Sequence, residues 1–221
     1  MPQPHPAAPA AQKDLIECRA DNSVHAVSLI FCLPATVLLL YRTGETGDGL
    51  AAAAATAYGF GMLAMFGFSA ANHLASRPPW KDRLRVCDHA AIFLMIAGTY
   101  TPLAIFAIGG VLGWGLLALV WLMAAAGILL KVLAPRCWES ASVAYYLALG
   151  WVGLPAAGML LESLSLSALM LLGAGGLLYT VGVGFHVWER LRFQNALWHG
   201  CVLAAAGCHY LAVSSVLAPT S

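Results

Sequence analysis

The chain has 221 residues, of which 61% are hydrophobic and 10% charged, with a formal net charge of +1. That is far less charge than a soluble domain of this length carries, so the composition excludes an ordinary water-soluble globule and indicates an integral membrane protein. The six cysteines (Cys18, Cys32, Cys87, Cys137, Cys201 and Cys208) are scattered without a CxxC pair, which implies neither a disulfide framework nor a thiolate zinc site.

In chain order, residues 1–23 (MPQPHPAAPAAQKDLIECRADNS) are rich in Pro and Ala, then polar. They lack the apolar centre of a cleavable signal peptide and are expected to form a disordered cytosolic tail. Residues 24–217 are expected to form a single transmembrane domain. A spanning helix needs about 20 apolar residues, and the clear single spans are 24–42, 49–73 and 195–217. Residues 90–130 contain no charge. As one helix they would be about twice the thickness of the bilayer, so a fold-back is expected at Gly109-Gly110. Residues 140–188 contain only Glu162, within ESLSLS, and by the same arithmetic hold two helices. The expected fold is an all-α, seven-helix transmembrane bundle.

Alternation of seven spans puts the N-terminal tail and the loops near 76–87, 131–138 and 189–194 on one side. That set holds Lys13, Arg19, Arg77, Lys81, Arg83, Arg85, Lys131, Arg136, Arg190 and Arg192. These are ten of the eleven basic residues, Arg42 being the exception. The excess of basic residues predicts a cytosolic N-terminus and an external C-terminus, opposite to G-protein-coupled receptors. Trp80, Trp138, Trp188 and Trp198 are expected as an aromatic belt at the cytosolic ends, with Trp114 at the other face.

Ionisable residues in spans are costly and mark candidate sites. Ser69 and His73 end the second span, Asp88 and His89 start the third, His186 and Glu189 close the sixth, and Asn195 and His199 open the seventh. His25 opens the first. All fall within about two helical turns of the cytosolic surface, and His209 lies about three turns deeper than His199. Ser69 with His73, and Asn195 with His199, share a helix face at i, i+4. Such a convergence suits a Zn²⁺ held by imidazoles with one position left for water. Asp88 would then orient a ligand or accept a proton, and Ser69 would polarise a substrate carbonyl. Simpler roles stand beside these: His25, His89 and His186 as interfacial polar residues, Asp88 as a helix-starting carboxylate, Ser69 as packing. Cys201 and Cys208 read as small apolar fillers, and His209 as a hydrogen-bonding residue inside the bundle.

The stretches DNSVHAVSL, SAANHLASR (69–77), RLRVCDHAAIFLMIAGTYTPLAI (83–105), YYLALGWVGL (145–154), GGLLYTVGVGF (175–185) and NALWHGCVLAAAGCHY resemble, in order, the hemolysin III family. That family lies within the progestin and adiponectin receptor superfamily. The resemblance implies a seven-helix fold with a cytosolic N-terminus and zinc bound by three histidines. It maps the catalytic Ser and Asp onto Ser69 and Asp88, and two metal ligands onto His73 and His199. The first His of the family's HxxxH falls on Asn195, a substituted ligand position. His186, nine residues before Asn195, is the candidate replacement ligand.

The implied function is a zinc-dependent hydrolase of lipid amides or esters, similar to alkaline ceramidases. The alternative is a non-catalytic membrane-homeostasis, sensor or pore-forming (haemolytic) protein. A transporter is disfavoured by the lack of a charge near the bilayer midplane and of an inverted repeat. Membrane lipids are the expected partners, nucleic acid is not, and a bacterial inner membrane is the expected location.

Overall fold

The computed structural model describes residues 8–134 and 139–218. Positions 1–7, Arg136, Cys137 and Trp138 lie outside the described residues. The fold is all-helical. In chain order the helices are α1 (Ala8–Glu45), α2 (Gly49–Leu74), α3 (Trp80–Pro102), α4 (Gly110–Leu133), α5 (Glu139–Trp151), α6 (Ala157–Ser163), α7 (Leu166–Val187) and α8 (Gln194–Val216). They make seven segments long and apolar enough to cross a membrane, with α5 and α6 together forming the fifth.

Local chemistry explains the joints. Asp48 caps α2, its Oδ1 accepting from the Leu50 and Ala51 amides at 2.8 and 3.2 Å. The uncharged run 90–130 folds back where expected. A π-helical turn, Leu103–Ile108, ends α3, and Gly109 and Gly110 follow at φ 65° and 56°. Only a residue without Cβ adopts two such angles in succession cheaply. Ser165 caps α7 by accepting from the Ala168 amide at 3.3 Å.

Three elements differ from the sequence expectations. The stretch read as a tail is helical from Ala8, because its Ala, Gln, Lys, Leu and Glu residues are strong helix formers. The basic stretch before Asp88 is not a loop: α3 begins at Trp80, so Asp88 lies two turns inside the helix and Asp82 occupies the first turn. The fifth span is broken. Pro155 has no amide to donate, and a 3₁₀ turn, Leu154–Ala156, separates α5 from α6.

The tightest packing joins α1, α2, α3 and α8. Cys32, Ala55, Tyr58, Met62, Met95, Ala206 and Val213 form its buried core. Small residues let the backbones approach: a Cβ on Gly61 would lie 2.7 Å from the Leu94 carbonyl oxygen, and one on Gly98 would lie 2.7 Å from that of Ala57. Large residues such as Val111, Leu122, Leu133 and Leu166 are exposed, as lipid-facing positions require. Trp80, Trp114 and Trp188 are exposed at the helix ends, whereas Trp198 turns inward and packs its ring on His186.

Candidate metal centre

The site is built at the ends of α1, α2, α3 and α8. On α1, Asp21 and His25 are one turn apart on one face and are 4% and 5% exposed, so both point into the bundle rather than into water. The Asp21 carboxylate is the hub. His199 Nδ1 lies 2.6 Å from its Oδ1, and His73 Nδ1 lies 3.1 Å from its Oδ2. His25 Nε2 is 3.8 Å from Oδ1 and has no hydrogen-bond partner. The His25 ring centroid is 4.4 Å from that of His199 and 4.9 Å from that of His73. One potential ligand atom from each of Asp21, His25 and His199 falls within 4.8 Å of the others.

A second polar group adjoins the first. Asn72 Nδ2 donates to Asp88 Oδ2 at 2.9 Å, and Ser69 on α2 lies beside the Asp88 carboxylate. Lys81 Nζ in turn donates to the Asn72 carbonyl. Asp88 is close enough to His199 for the two to interact electrostatically, which joins the carboxylate-hydroxyl pair to the imidazole cluster.

A polar pocket opens on this region, and an apolar cavity reaches Trp198, the chain neighbour of His199. A polar pocket of about 290 Å³ is lined by Glu17, Asp21, His73, Glu189 and Asn195 among others. Asn195 is exposed there, at the mouth, and Arg192 pairs with Glu17 at 3.7 Å beside it. A larger cavity of about 390 Å³ runs among α3, α5, α6, α7 and α8, with Trp198 on its wall. It is almost wholly apolar, lined by residues such as Met95, Leu103, Leu160 and Leu172.

Of the residues singled out from the sequence, His73 and His199 meet through Asp21, and Ser69 meets Asp88. His186 packs its ring on Trp198, centroids 5.2 Å apart, and is not part of the Asp21–His25–His199 group. His209 bonds the Leu172 carbonyl at 3.3 Å, inside the bundle. Asp21 was not anticipated, because it falls in the stretch read as a tail. The spacing DNSVH carried the signal, since it sets Asp21 and His25 at i, i+4.

Asp21, His25 and His199, with the His25 Nε2 buried and without a partner, form a donor group that fits a metal ion, and His73 bonds the second oxygen of the Asp21 carboxylate. The helices and this cluster define a multi-pass membrane protein with a candidate metal centre at one end. The chain belongs to the haemolysin-III-related family, whose model matches residues 20–210. It is 36% identical to hemolysin-3 of Bacillus cereus over 202 residues, 91% of this chain and 92% of that protein. It is 34% identical to the hemolysin-3 homolog of Bacillus subtilis (strain 168) over 194 residues, 88% of this chain and 91% of the relative. The human monocyte to macrophage differentiation factor is 30% identical over 207 residues, covering 89% and 83% of the two chains, and ties the family to the wider receptor superfamily.

Proposed function

We propose that the protein is a metal-dependent hydrolase of lipid amides or esters, working at the cytosolic leaflet of a bacterial inner membrane with its N-terminus in the cytosol. The observation that carries this reading is the placing of the Ser69–Asp88 pair against an Asp21–histidine cluster, next to an apolar cavity of about 390 Å³. Asp21, His25, His73 and His199 would hold the ion. A bound zinc would supply Lewis acidity toward water and carbonyl oxygen. Asp88, held by Asn72, accepts the proton from the attacking water and returns it to the leaving group. The Ser69 hydroxyl donates to the carbonyl oxygen as charge develops on it. The apolar cavity takes the acyl chain, and the polar pocket at Asn195 admits water.

One observation favours the non-catalytic alternative. Asp21, His25 and His199 bring three ligand atoms together and His73 reaches the second Asp21 oxygen; with His73 as a fourth ligand a tetrahedral shell would be full, whereas a catalytic zinc site keeps one position open. The two readings separate by lipid profiling of cells that express wild type or His73→Ala. The hydrolase reading expects a lipid amide or ester to be depleted by wild type only. Depletion that survives His73→Ala would overturn the metal-centred mechanism.

A further inference from the structure

We propose that the polar pocket is the passage by which a divalent transition-metal ion enters and leaves the candidate metal centre, with Glu17 and Glu189 as its entry carboxylates and the Arg192–Glu17 ion pair as its latch. The pocket, of about 290 Å³, has Asp21 and His73 on its wall together with Glu17, Cys18, Glu189 and Asn195. It therefore opens on the same carboxylate that His199 and His25 face. Along α1, Glu17, Asp21 and His25 recur every four residues, so they stand on one face, each about 6 Å further along the axis. Their side chains are 33%, 5% and 7% exposed, which grades the row from the surface into the bundle. At its inner end His25 Nε2 is buried without a partner, 3.8 Å from Asp21 Oδ1. A row of anionic oxygens that leads to an unpartnered imidazole nitrogen suits a cation that exchanges its water for protein ligands in steps.

The lining names the ion. Glu17, Asp21 and Glu189 give it three carboxylates, and among the described residues it holds no lysine or arginine, so it concentrates cations. Cys18 and His73 add a thiol and an imidazole to the oxygens, a mixture that takes zinc or its first-row neighbours in preference to magnesium or calcium. The apolar cavity is no alternative passage, since walls such as Met95, Leu160 and Leu172 replace none of an ion's water. The latch lies in the turn between α7 and α8, residues 188–193. Arg192 Nε is 3.7 Å from Glu17 Oε1, and its guanidinium lies over the Phe193 ring, 4.7 Å from the centroid. Both partners of the ion pair reach solvent, which weakens it and lets it open readily. Phe193, which lines the pocket, is held at φ 60° and ψ 22°, the left-handed region that a bulky residue enters only under strain. A strained turn fastened to α1 by one surface pair can swing away from the pocket. The passage rests on the metal-dependent part of the proposed function and is independent of hydrolysis.

The test follows zinc exchange in the full chain in nanodiscs: uptake by chelator-stripped protein, release from loaded protein to an excess of a chromogenic chelator, and metal per chain at the end of uptake, which shows that a variant is folded. The double variant Glu17→Gln/Glu189→Gln is expected to slow uptake about tenfold and to flatten its dependence on ionic strength, with final metal unchanged. Ala196→Trp, which fills the pocket from α8, should slow uptake and release alike. Gly173→Leu, on the wall of the apolar cavity where a Cβ meets nothing within 4 Å, should alter neither. Arg192→Gln should speed both directions about threefold, whereas the loss of a positive charge alone would speed uptake and slow release. Wild-type rates in both the double variant and Ala196→Trp, or slowing by Gly173→Leu instead, overturn the passage. Opposite effects of Arg192→Gln on the two directions overturn the latch. Reduced final metal in the double variant at an unchanged rate would make Glu17 and Glu189 ligands and overturn their role in entry. A wild type that takes up no zinc overturns the passage and the metal reading together. Exchange through the pocket in a protein that hydrolyses no lipid supports the passage and sinks the hydrolase reading alone.

Discussion

The third and fifth spans face the same apolar cavity and are built in opposite ways. In the third, 67% of the most apolar window is buried, while in the fifth the share is 6%. The third runs unbroken past the candidate metal centre and presses its backbone on α2 through Gly61 and Gly98. The fifth breaks at Pro155, and its exposed carbonyl and amide are satisfied from outside: Tyr100 donates to the Gly150 oxygen at 2.7 Å and accepts from the Gly153 amide at 3.0 Å. Trp151 adds a bond to Thr180 at 3.2 Å. Side chains that must meet within a few ångströms are carried on tightly packed helices, and the wall that only encloses an apolar volume is held by a few polar clips.

That contrast can be broken from the tight side with the largest effects. Ser69→Ala removes the hydroxyl beside Asp88, and lipid hydrolysis by purified protein is expected to fall about 100-fold with metal content unchanged. An unaltered rate would remove Ser69 from the chemistry. Gly61→Ala drives a Cβ against the Leu94 backbone, 2.7 Å from its oxygen. Overpacking of this kind costs about 1–3 kcal/mol, read as a lowered midpoint of thermal unfolding in detergent. The same change at Gly158 in α6, where a Cβ would meet nothing within 4 Å, should stay within about 0.5 kcal/mol of wild type. Equal costs at the two glycines would erase the difference between the spans. On the loose side, Tyr100→Phe leaves the Gly150 carbonyl and Gly153 amide without their partner. The expected effect is local, about 1 kcal/mol, seen as faster amide exchange at 150–157 with metal content retained.

The seven spans were legible because membrane crossing imposes a length, and charges sit where that length ends. The fold-back at Gly109-Gly110 was legible for the same reason. Ser69, His73 and His199 lie near span ends and Asp88 two turns inside α3, and all four stood out as polar residues beside long apolar runs. Asp21 did not, since it sits among polar neighbours and no apolar run flags its burial. What buries it is the approach of α8 and α2 to α1, a tertiary event with no local signature. Trp198 escaped in the same way: an aromatic residue at a helix entrance reads as interfacial until the facing His186 is known. Asn195 was legible as a substituted position, but its place at the mouth of the polar pocket emerges only with the helices assembled.

The central claim is that Asp21 joins the histidines of α1, α2 and α8 in one metal centre. Metal analysis of the purified protein, prepared with zinc in excess, tests it most directly, in wild type, Asp21→Asn and His186→Ala. The account predicts about one metal ion per chain in wild type and in His186→Ala, and little in Asp21→Asn. Full metal in Asp21→Asn, or none in wild type, would contradict it.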